Sequence, residues 1–225
     1  MNLRPLAIAA VIAVGLMLVL AGWAWGQIPA GAQVPIHWGI DGRPDGYASK
    51  EFALLFTPVL TVGLAALLYL IPRFEPRAQN LARSGPAYLQ VTIALLGLMV
   101  ALELLVVLAA IGSPVDSSLV LGVATGLLFM VIGNVLGKVR SNFVFGVRTP
   151  WTLSSDLAWN KTHRLVGRLF VLLGLAMIVV GVVGGTTAFF VVLLGGIAVV
   201  LVVAFAYSYR VWKSDPDRLT VGERT

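Results

Sequence analysis

A histidine and two aspartates lie close together in a polar, glycine-rich stretch, "PIHWGIDGRPDGYASK", at residues 35–50. An imidazole and two carboxylates form a donor set that a divalent metal accepts. One histidine and no cysteine make a poor zinc set, so we expect no metal here. The stretch could instead recognise an external ligand, or its Asp and Gly residues could form a structural turn. The candidate ligand contacts in this stretch are His37, Trp38, Asp41, Arg43, Asp45, Tyr47 and Lys50.

A second polar stretch, residues 137–164, carries the other histidine. The candidate binding residues here are Asn134, Asn142, Arg148, Thr149, Trp151, Ser154, Asn160 and His163. Ser154, Asp156 and His163 are the residue types of a hydrolytic triad, but nothing in their spacing aligns them, so we expect no catalytic residues. Arg148 could bind a lipid phosphate or a partner's carboxylate, or it could neutralise Asp156 or cap a helix.

These stretches interrupt a strongly apolar chain of 225 residues, with a mean hydropathy of +0.94 and 12% charged residues. Soluble domains carry about 25% charged residues. Six segments have roughly the 20 apolar residues that a membrane-spanning helix needs. They are Pro5–Gly26, Phe52–Ile71, Ala87–Ile111, Ser118–Leu136, Leu165–Val183 and Thr187–Tyr209. We therefore predict an all-α integral membrane protein with six transmembrane helices.

The basic residues indicate which loops face the cytoplasm. With the N-terminus inside, fourteen of the sixteen are cytoplasmic: Arg4, Arg73, Arg77, Arg83, Lys138, Arg140, Arg148, Lys161, Arg164, Arg168, Arg210, Lys213, Arg218 and Arg224. Only Arg43 and Lys50 lie outside. This asymmetry favours a topology with both termini inside. It explains the net charge of +6 without direct nucleic-acid binding.

Several residues predict where the helices begin. Ser49 and Asp116 suit the N-caps of the second and fourth spans, and Ser154 or Ser155 suits the start of a short interfacial helix before the fifth. Pro58 should kink the second span or restart it.

Glycines recur on the fourth and fifth spans, at Gly122, Gly126, Gly133, Gly137, Gly167, Gly174 and Gly181. Small residues let helix backbones approach closely in lipid. The pattern favours packing of the two spans within one chain, with a homodimer through these faces as the alternative.

Glu103 is the one ionisable residue near the middle of a span. Such residues usually face an interior cavity and mark a pathway or a hydrogen-bonded pair. A structural hydrogen bond and proton transfer are both open interpretations.

The two polar stretches also resemble each other. At an offset of 105 residues, "RPDGYASKEFA" from Arg43 matches "RTPWTLSSDLA" from Arg148 at Arg, Ser and Ala positions. The same offset places three spans over three spans, so the halves would have opposite orientations, as in a 3+3 inverted-topology repeat.

The domain prediction is an N-terminal half, 1–111, with an extracytoplasmic motif loop at 27–51. The second half, 112–225, has a cytoplasmic motif loop at 137–164 and a cytoplasmic tail at 210–225.

Motifs in both halves resemble a known family. The second half matches its pattern at Gly133-Asn134, Lys138, Asn142-Phe143, Gly146, Arg148-Thr149-Pro150-Trp151-Thr152-Leu153-Ser154, Trp159, Thr162-His163 and Gly167. This pattern resembles the SdpI immunity-protein family. The outer pattern, P-x-H-W-x-x-D-G-x-P-D-G-Y-x-S-K, resembles the domain of unknown function that precedes it in those proteins.

The resemblance implies a polytopic membrane protein that gives resistance to a secreted peptide toxin. It also implies a signalling receptor that draws a transcriptional repressor, of the ArsR type, to the membrane. The expected partners are therefore the lipid bilayer, a peptide outside and a repressor inside, with no cofactor. A small-molecule or lipid transporter built on the inverted repeat is the alternative, and a membrane enzyme lacks a convincing set of residues.

Overall fold

The computed structural model describes residues 1–218 and is dominated by six long helices. The elements in chain order are α1 (Arg4–Trp25), β1 (Gln33–Trp38), β2 (Pro44–Ser49), α2 (Lys50–Leu70), a 3-10 turn (Ile71–Phe74), α3 (Ala78–Arg83), α4 (Gly85–Ala110), α5 (Ser117–Leu136), α6 (Pro150–Leu153), α7 (Asp156–Val183) and α8 (Gly185–Lys213). The helices α1, α2, α4, α5, α7 and α8 are each long and apolar enough to cross a membrane. Each overlaps one of the six predicted segments. The end of the predicted tail, from residue 219 and including Arg224, lies outside the described residues.

The expectation of an all-α fold is wrong at residues 33–49. There β1 and β2 form an antiparallel hairpin in which Gln33 pairs with Ser49 and His37 pairs with Gly46. The Asp41-Gly42 dipeptide turns the chain, and Gly42 adopts a φ of +80° that a side chain would disfavour. An Asp-Gly pair between two short extended runs is a hairpin signal, and the polar composition of this stretch obscured it.

The predicted helix caps are present. The Ser49 hydroxyl accepts from Phe52 N–H at 3.3 Å, and Asp116 Oδ1 accepts from Ser118 N–H at 2.8 Å. The Ser118 hydroxyl and the backbone N–H groups of this first turn lower the pKa of Asp116. Pro58 neither breaks nor restarts α2, which continues through it from Lys50 to Leu70.

The short helix predicted before the fifth span is not a separate element. Ser155 caps α7 by accepting from Ala158 N–H at 2.9 Å, and the helix then runs without interruption from Asp156 to Val183. Between residues 156 and 166 no glycine or proline interrupts the chain, and Trp159 and His163 bury one face of this extension. In the described segment between α5 and α7, the only helix is the four-residue α6.

The glycines of α5 and α7 pack against each other within the chain, as predicted. A Cβ atom on Gly122 would lie 2.5 Å from Gly181 Cα, and one on Gly126 would lie 2.6 Å from the Gly174 carbonyl oxygen. Gly133 and Gly167 make the equivalent contact nearer the end of α5. These faces therefore contact each other within one chain, and the homodimer stays a prediction.

The elements between the helices collect at two ends of the bundle. At the hairpin end, Thr187 of α8 donates to the Ile40 carbonyl at 3.0 Å. At the motif-loop end, the segment 137–155 meets the segment 71–84 and the end of α8. Met1 lies beside Gly85, so the N-terminus and the end of α8 are both at the motif-loop end.

The order of elements agrees with a 3+3 repeat, but the packing within the two halves differs. In the first half α1 packs most extensively on α4, whereas in the second half α5 packs mainly on α7. The hairpin also has no strand counterpart among residues 137–155. The inverted repeat stays a prediction.

Candidate functional site

The hairpin presents two pairs of charged side chains to its surroundings. His37 Nδ1 lies 2.5 Å from Asp45 Oδ1, across the two strands, and these side chains are 72% and 55% exposed. Near the tip, Asp41 Oδ1 accepts from Arg43 N–H at 3.1 Å, and its Oδ2 lies 3.9 Å from Arg43 Nε. Exposed pairs of this kind contribute little to stability, so they can be exchanged for contacts to a ligand.

The base of the hairpin is held firmly on the first half of the chain. Lys50 Nζ donates to the Ile28 carbonyl at 3.2 Å and lies 5.0 Å from the centre of the Trp25 ring. Val34 is buried in a cluster with Val107 of α4. Lys50 is thus a brace for the hairpin as well as a candidate contact.

The tip of the hairpin reaches the second half. Besides the Thr187 hydrogen bond to Ile40, Gly42 lies so close to Thr186 that a Cβ on this glycine would be 2.5 Å from the Thr186 hydroxyl. Trp38 is half-buried against the base cluster, whereas Tyr47 is exposed. The exposed histidine, aspartate, arginine and tyrosine side chains therefore stand on a strand pair fixed at both ends.

At the opposite end, the buried carboxylate of Glu75 holds the motif loop. Its Oε1 accepts from Arg77 N–H at 2.8 Å, and its Oε2 accepts from Phe143 N–H at 2.9 Å. The Arg77 guanidinium donates to Ser141 Oγ and, at 3.1 Å, to the Leu153 carbonyl, with its carbon 4.8 Å from the centre of the Phe143 ring. Two residues of the first half thus shape the loop of the second.

Further contacts extend this junction. Asn80 Nδ2 donates to the Ser141 carbonyl at 2.9 Å, and Ser84 Oγ accepts from Arg140 N–H at 2.9 Å. Asn142, fully buried, accepts from two N–H groups of the loop and donates to the Arg140 carbonyl at 2.8 Å. All four hydrogen bonds of Asn142 and Asn80 are internal, so these amides build the loop.

His163 closes the loop on α7. Its Nδ1 lies 2.7 Å from the Trp159 carbonyl and its Nε2 accepts from Val147 N–H at 2.9 Å, which together assign the proton to Nδ1. The ring is 1% exposed and stacks on the Trp159 ring at 4.0 Å. Because both nitrogens are used inside the chain, His163 positions the loop and has no free nitrogen for a ligand.

Other predicted residues tie the loop to α8. Thr149 caps α6 and donates to Ser208 Oγ at 3.2 Å, and Trp151 packs edge-on against Phe205 at 4.6 Å. Ser154 Oγ donates to the Pro150 carbonyl at 2.7 Å. Ser154, Asp156 and His163 therefore do not form a triad, since the serine and the histidine are engaged elsewhere.

Arg148, Asn134 and Asn160 are more accessible. Arg148 is exposed, donates to the Phe143 carbonyl, and makes no ion pair with Asp156 within residues 1–218. It stands with Thr149 at the edge of an apolar cavity of about 840 Å³ between α5, α7 and α8. Asn134 is exposed near the end of α5, and Asn160 is half-buried on α7.

Glu103 is fully buried between α4 and α2. The Thr57 hydroxyl of α2 faces it, but among the described residues neither carboxylate oxygen has a hydrogen-bond partner. The structural hydrogen bond considered for Glu103 stays a prediction, with the Thr57 hydroxyl as the nearby group. Asn134, at the motif-loop end of α5, is not its partner.

Sequence reasoning missed most of the residues that hold the motif loop: Glu75, Arg77, Asn80, Ser84, Ser141, Ser208 and Asp215. The sequence indicated Arg77 only as one of the basic residues on the cytoplasmic side. It gave no role to Asp215, whose carboxylate accepts a hydrogen bond from Ser155 Oγ at 2.5 Å. One signal was available, because the chain has only ten acidic residues and Glu75 and Asp215 lie at its strongly basic end. A carboxylate in such a setting often has a specific partner.

Replacing Glu75 with glutamine tests this junction. We expect Glu75→Gln to lower the free energy of unfolding by about 2 kcal/mol, because the amide nitrogen places a donor against one of two buried N–H groups. Hydrogen–deuterium exchange at residues 141–147 should increase severalfold in the variant. The exposed Glu51→Gln is the control, and equal exchange in the two variants would contradict the role given to Glu75.

Comparisons with known proteins match both polar stretches. Residues 138–208 match the SdpI/YfhL protein family, and residues 12–62 match a domain of unknown function, DUF1648. The chain is 24% identical over 183 residues to "Immunity protein SdpI" of Bacillus subtilis (strain 168), covering 80% of this chain and 84% of that protein. No solved structure gives a significant match. The resemblance predicted from the motifs is therefore confirmed: this membrane protein resembles the SdpI/YfhL protein family over residues 138–208 and DUF1648 over residues 12–62.

Proposed function

We propose that this chain is a multi-pass immunity protein of a bacterial cytoplasmic membrane, which makes its cell resistant to a secreted peptide toxin. The similarity to an immunity protein over most of both chains supports this function. The similarity to this immunity protein favours an immunity function over the alternative, a small-molecule or lipid transporter. The SdpI immunity family is also not a known enzyme family, in agreement with a function in binding.

The hairpin end is the extracytoplasmic face in this proposal. Of the fifteen basic residues within residues 1–218, only Arg43 and Lys50 belong to the hairpin end, and basic loops are retained in the cytoplasm. Both the N-terminus and the end of α8 are at the opposite end, as an even number of spans requires. The proposed halves, 1–111 and 112–225, divide between α4 and α5, and the two family matches fall on either side of that point.

The single observation that carries the toxin proposal is the exposed His37–Asp45 pair on a braced hairpin. A peptide with a cationic and an apolar part could exchange this surface pair for contacts of its own. The hairpin would lose little conformational entropy on binding, because contacts to both halves of the chain already hold it in place. Arg43 and Tyr47 extend the same exposed surface.

On the cytoplasmic side the motif loop is the proposed attachment point for a repressor of the ArsR type. The exposed basic residues there include Arg140, Arg148 and Lys161, which present positive charge beside a loop held firmly in place. The buried members of the predicted site, Asn142 and His163, would act by shaping this surface.

Deletion of the gene tests the proposed function. The deletion strain should become sensitive to a secreted peptide of its own species, and expression of the chain should restore resistance by at least tenfold in the inhibitory concentration. An unrelated six-span membrane protein expressed at the same level is the control. Unchanged sensitivity to every secreted peptide fraction of the host would contradict the immunity proposal.

A further inference from the structure

Three basic side chains surround a groove on the seam between α5 and α7. Lys138 follows the end of α5, and Arg164 and Arg168 lie one turn apart on α7. All three are exposed, and the groove has a volume of about 500 Å³. None of them takes part in the hairpin or in the network that holds the motif loop.

The groove exists because glycines bring the two helices together there. Gly133 and Gly167 are in backbone contact, and Gly137 faces Arg164, so no side chain fills the space above the seam. Toward the middle of α7 the groove continues onto Val171 and the exposed Leu172. One end of the groove is therefore cationic and the other apolar.

Among the described residues, 1–218, no acidic side chain forms an ion pair with these three cations. Within residues 1–218 the two ion pairs are both in the hairpin, at the opposite end of the protein. At the motif-loop end, Glu75 and Asp215 already accept hydrogen bonds from Phe143 and Ser155. The exposed Asp156 and Asp217 form no ion pair within the described residues. Arg164 and Arg168 repel each other at a spacing of four residues, which is unfavourable unless an anion lies between them.

The position of the groove along α7 identifies the kind of anion. From Arg168 to the end of α7 at Val183 the helix rises about 22 Å, and from Arg164 it rises about 28 Å. With Val183 at one boundary of a hydrocarbon core about 30 Å thick, Arg164 lies at the other boundary, and the long side chain of Arg168 extends toward the headgroups. The anions present at this depth are lipid phosphates, and basic pockets between helices at this level suit anionic headgroups.

We propose that this groove binds an anionic phospholipid. The phosphate lies between Lys138, Arg164 and Arg168, and one acyl chain runs over Val171 and Leu172. The lipid would hold α5 and α7 together at the end where the motif loop begins. This site goes beyond the proposed immunity function and does not depend on it.

Binding to the purified protein in a neutral detergent tests the proposal. Native mass spectrometry would compare dioleoylphosphatidylglycerol with dioleoylphosphatidylcholine at equal concentrations, in the wild type and in the triple variant Lys138→Gln, Arg164→Gln, Arg168→Gln. With about one kcal/mol for each basic residue, the triple variant should bind phosphatidylglycerol about 100-fold more weakly. Phosphatidylcholine should bind weakly to both proteins.

The matched control removes three exposed basic residues at the same end but outside the groove: Arg83→Gln, Arg210→Gln and Lys213→Gln. Equal loss of phosphatidylglycerol binding in the two triple variants would overturn the site, as would equal binding of the two lipids by the wild type. Displacement of the lipid by millimolar inorganic phosphate or by an acidic peptide would also overturn it. Cross-links from a photoactivatable phosphatidylglycerol to the unaltered protein should map to residues 133–138 and 164–172. Mapping elsewhere contradicts the proposal even if the variant misfolds.

Discussion

Replacing Gly126 with leucine should lower the free energy of unfolding by about 3 kcal/mol, because the side chain has no room between α5 and α7. The first added atom would lie 2.6 Å from the Gly174 carbonyl oxygen and 3.2 Å from the Ile178 backbone nitrogen. Backbone atoms cannot rotate away, so the helices must separate. Thermal or denaturant unfolding of the detergent-solubilised protein would measure the loss.

Gly195→Leu is the matched control for this substitution. Gly195 lies within the long helix α8, and nothing lies within 4 Å of the position that its Cβ would occupy. Both substitutions gain the same helix propensity, so their difference isolates the helix contact. If both variants were equally stable, the close packing of α5 on α7 would be wrong.

Trp159→Ala should have an effect of similar size at the motif loop, lowering the free energy of unfolding by about 4 kcal/mol. The Trp159 ring is 1% exposed, donates from Nε1 to the Val139 carbonyl at 2.7 Å and stacks on His163. Removal of the ring leaves a cavity and takes away the donor to the Val139 carbonyl. It also removes the ring on which His163 stacks, so the imidazole can move. Amide exchange at Val139 and Val147 should accelerate together, since both depend on this pair of rings.

One further variant separates the contribution of ring packing from that of the Nε1 hydrogen bond, and a second is the control. Trp159→Phe keeps most of the ring packing but removes the Nε1 donor, so it should cost only about 1–2 kcal/mol. Trp23→Ala removes a tryptophan that is 56% exposed and should leave the stability of the loop unchanged. Equal exchange at Val147 in Trp159→Ala and Trp23→Ala would contradict the role given to the ring pair.

The parts of the fold that depend on local or periodic signals were predicted from the sequence. The six spans follow from apolar length, the caps at Ser49 and Asp116 from residue type, and the glycine contacts from regular spacing on two helices. These signals are local because each lies within one helix or at its end. The hairpin was missed because its turn signal, Asp41-Gly42, lies among residues that also read as an irregular polar loop.

The contacts that hold the motif loop could not be predicted in the same way. Glu75 reaches Phe143 across 68 residues of sequence, and Ser155 reaches Asp215 across 60. No periodicity connects such positions, and only the folded chain brings them together. For the same reason the sequence singled out His163 without indicating that both of its nitrogens are used internally.

The candidate residues fall into two groups, those exposed to a ligand and those engaged in internal contacts. His37, Arg43, Asp45 and Tyr47 are exposed on a braced hairpin and can contact a ligand directly. Asn142, Thr149, Trp151 and His163 are committed to internal contacts and can act only by shaping the motif loop. The two ends of the protein thus differ, with an exposed charged hairpin at one end and a buried hydrogen-bond network at the other.

Resistance to the secreted peptide is expected to depend on the hairpin surface. It is measured by the inhibitory concentration of that peptide for the deletion strain expressing the double variant His37→Ala, Asp45→Ala. We expect at least a tenfold loss of resistance at an unchanged amount of protein in the membrane, with Gln33→Ala, a substitution of an exposed residue on the same hairpin, fully resistant. Full resistance of the double variant, or equal loss in both proteins, would contradict it.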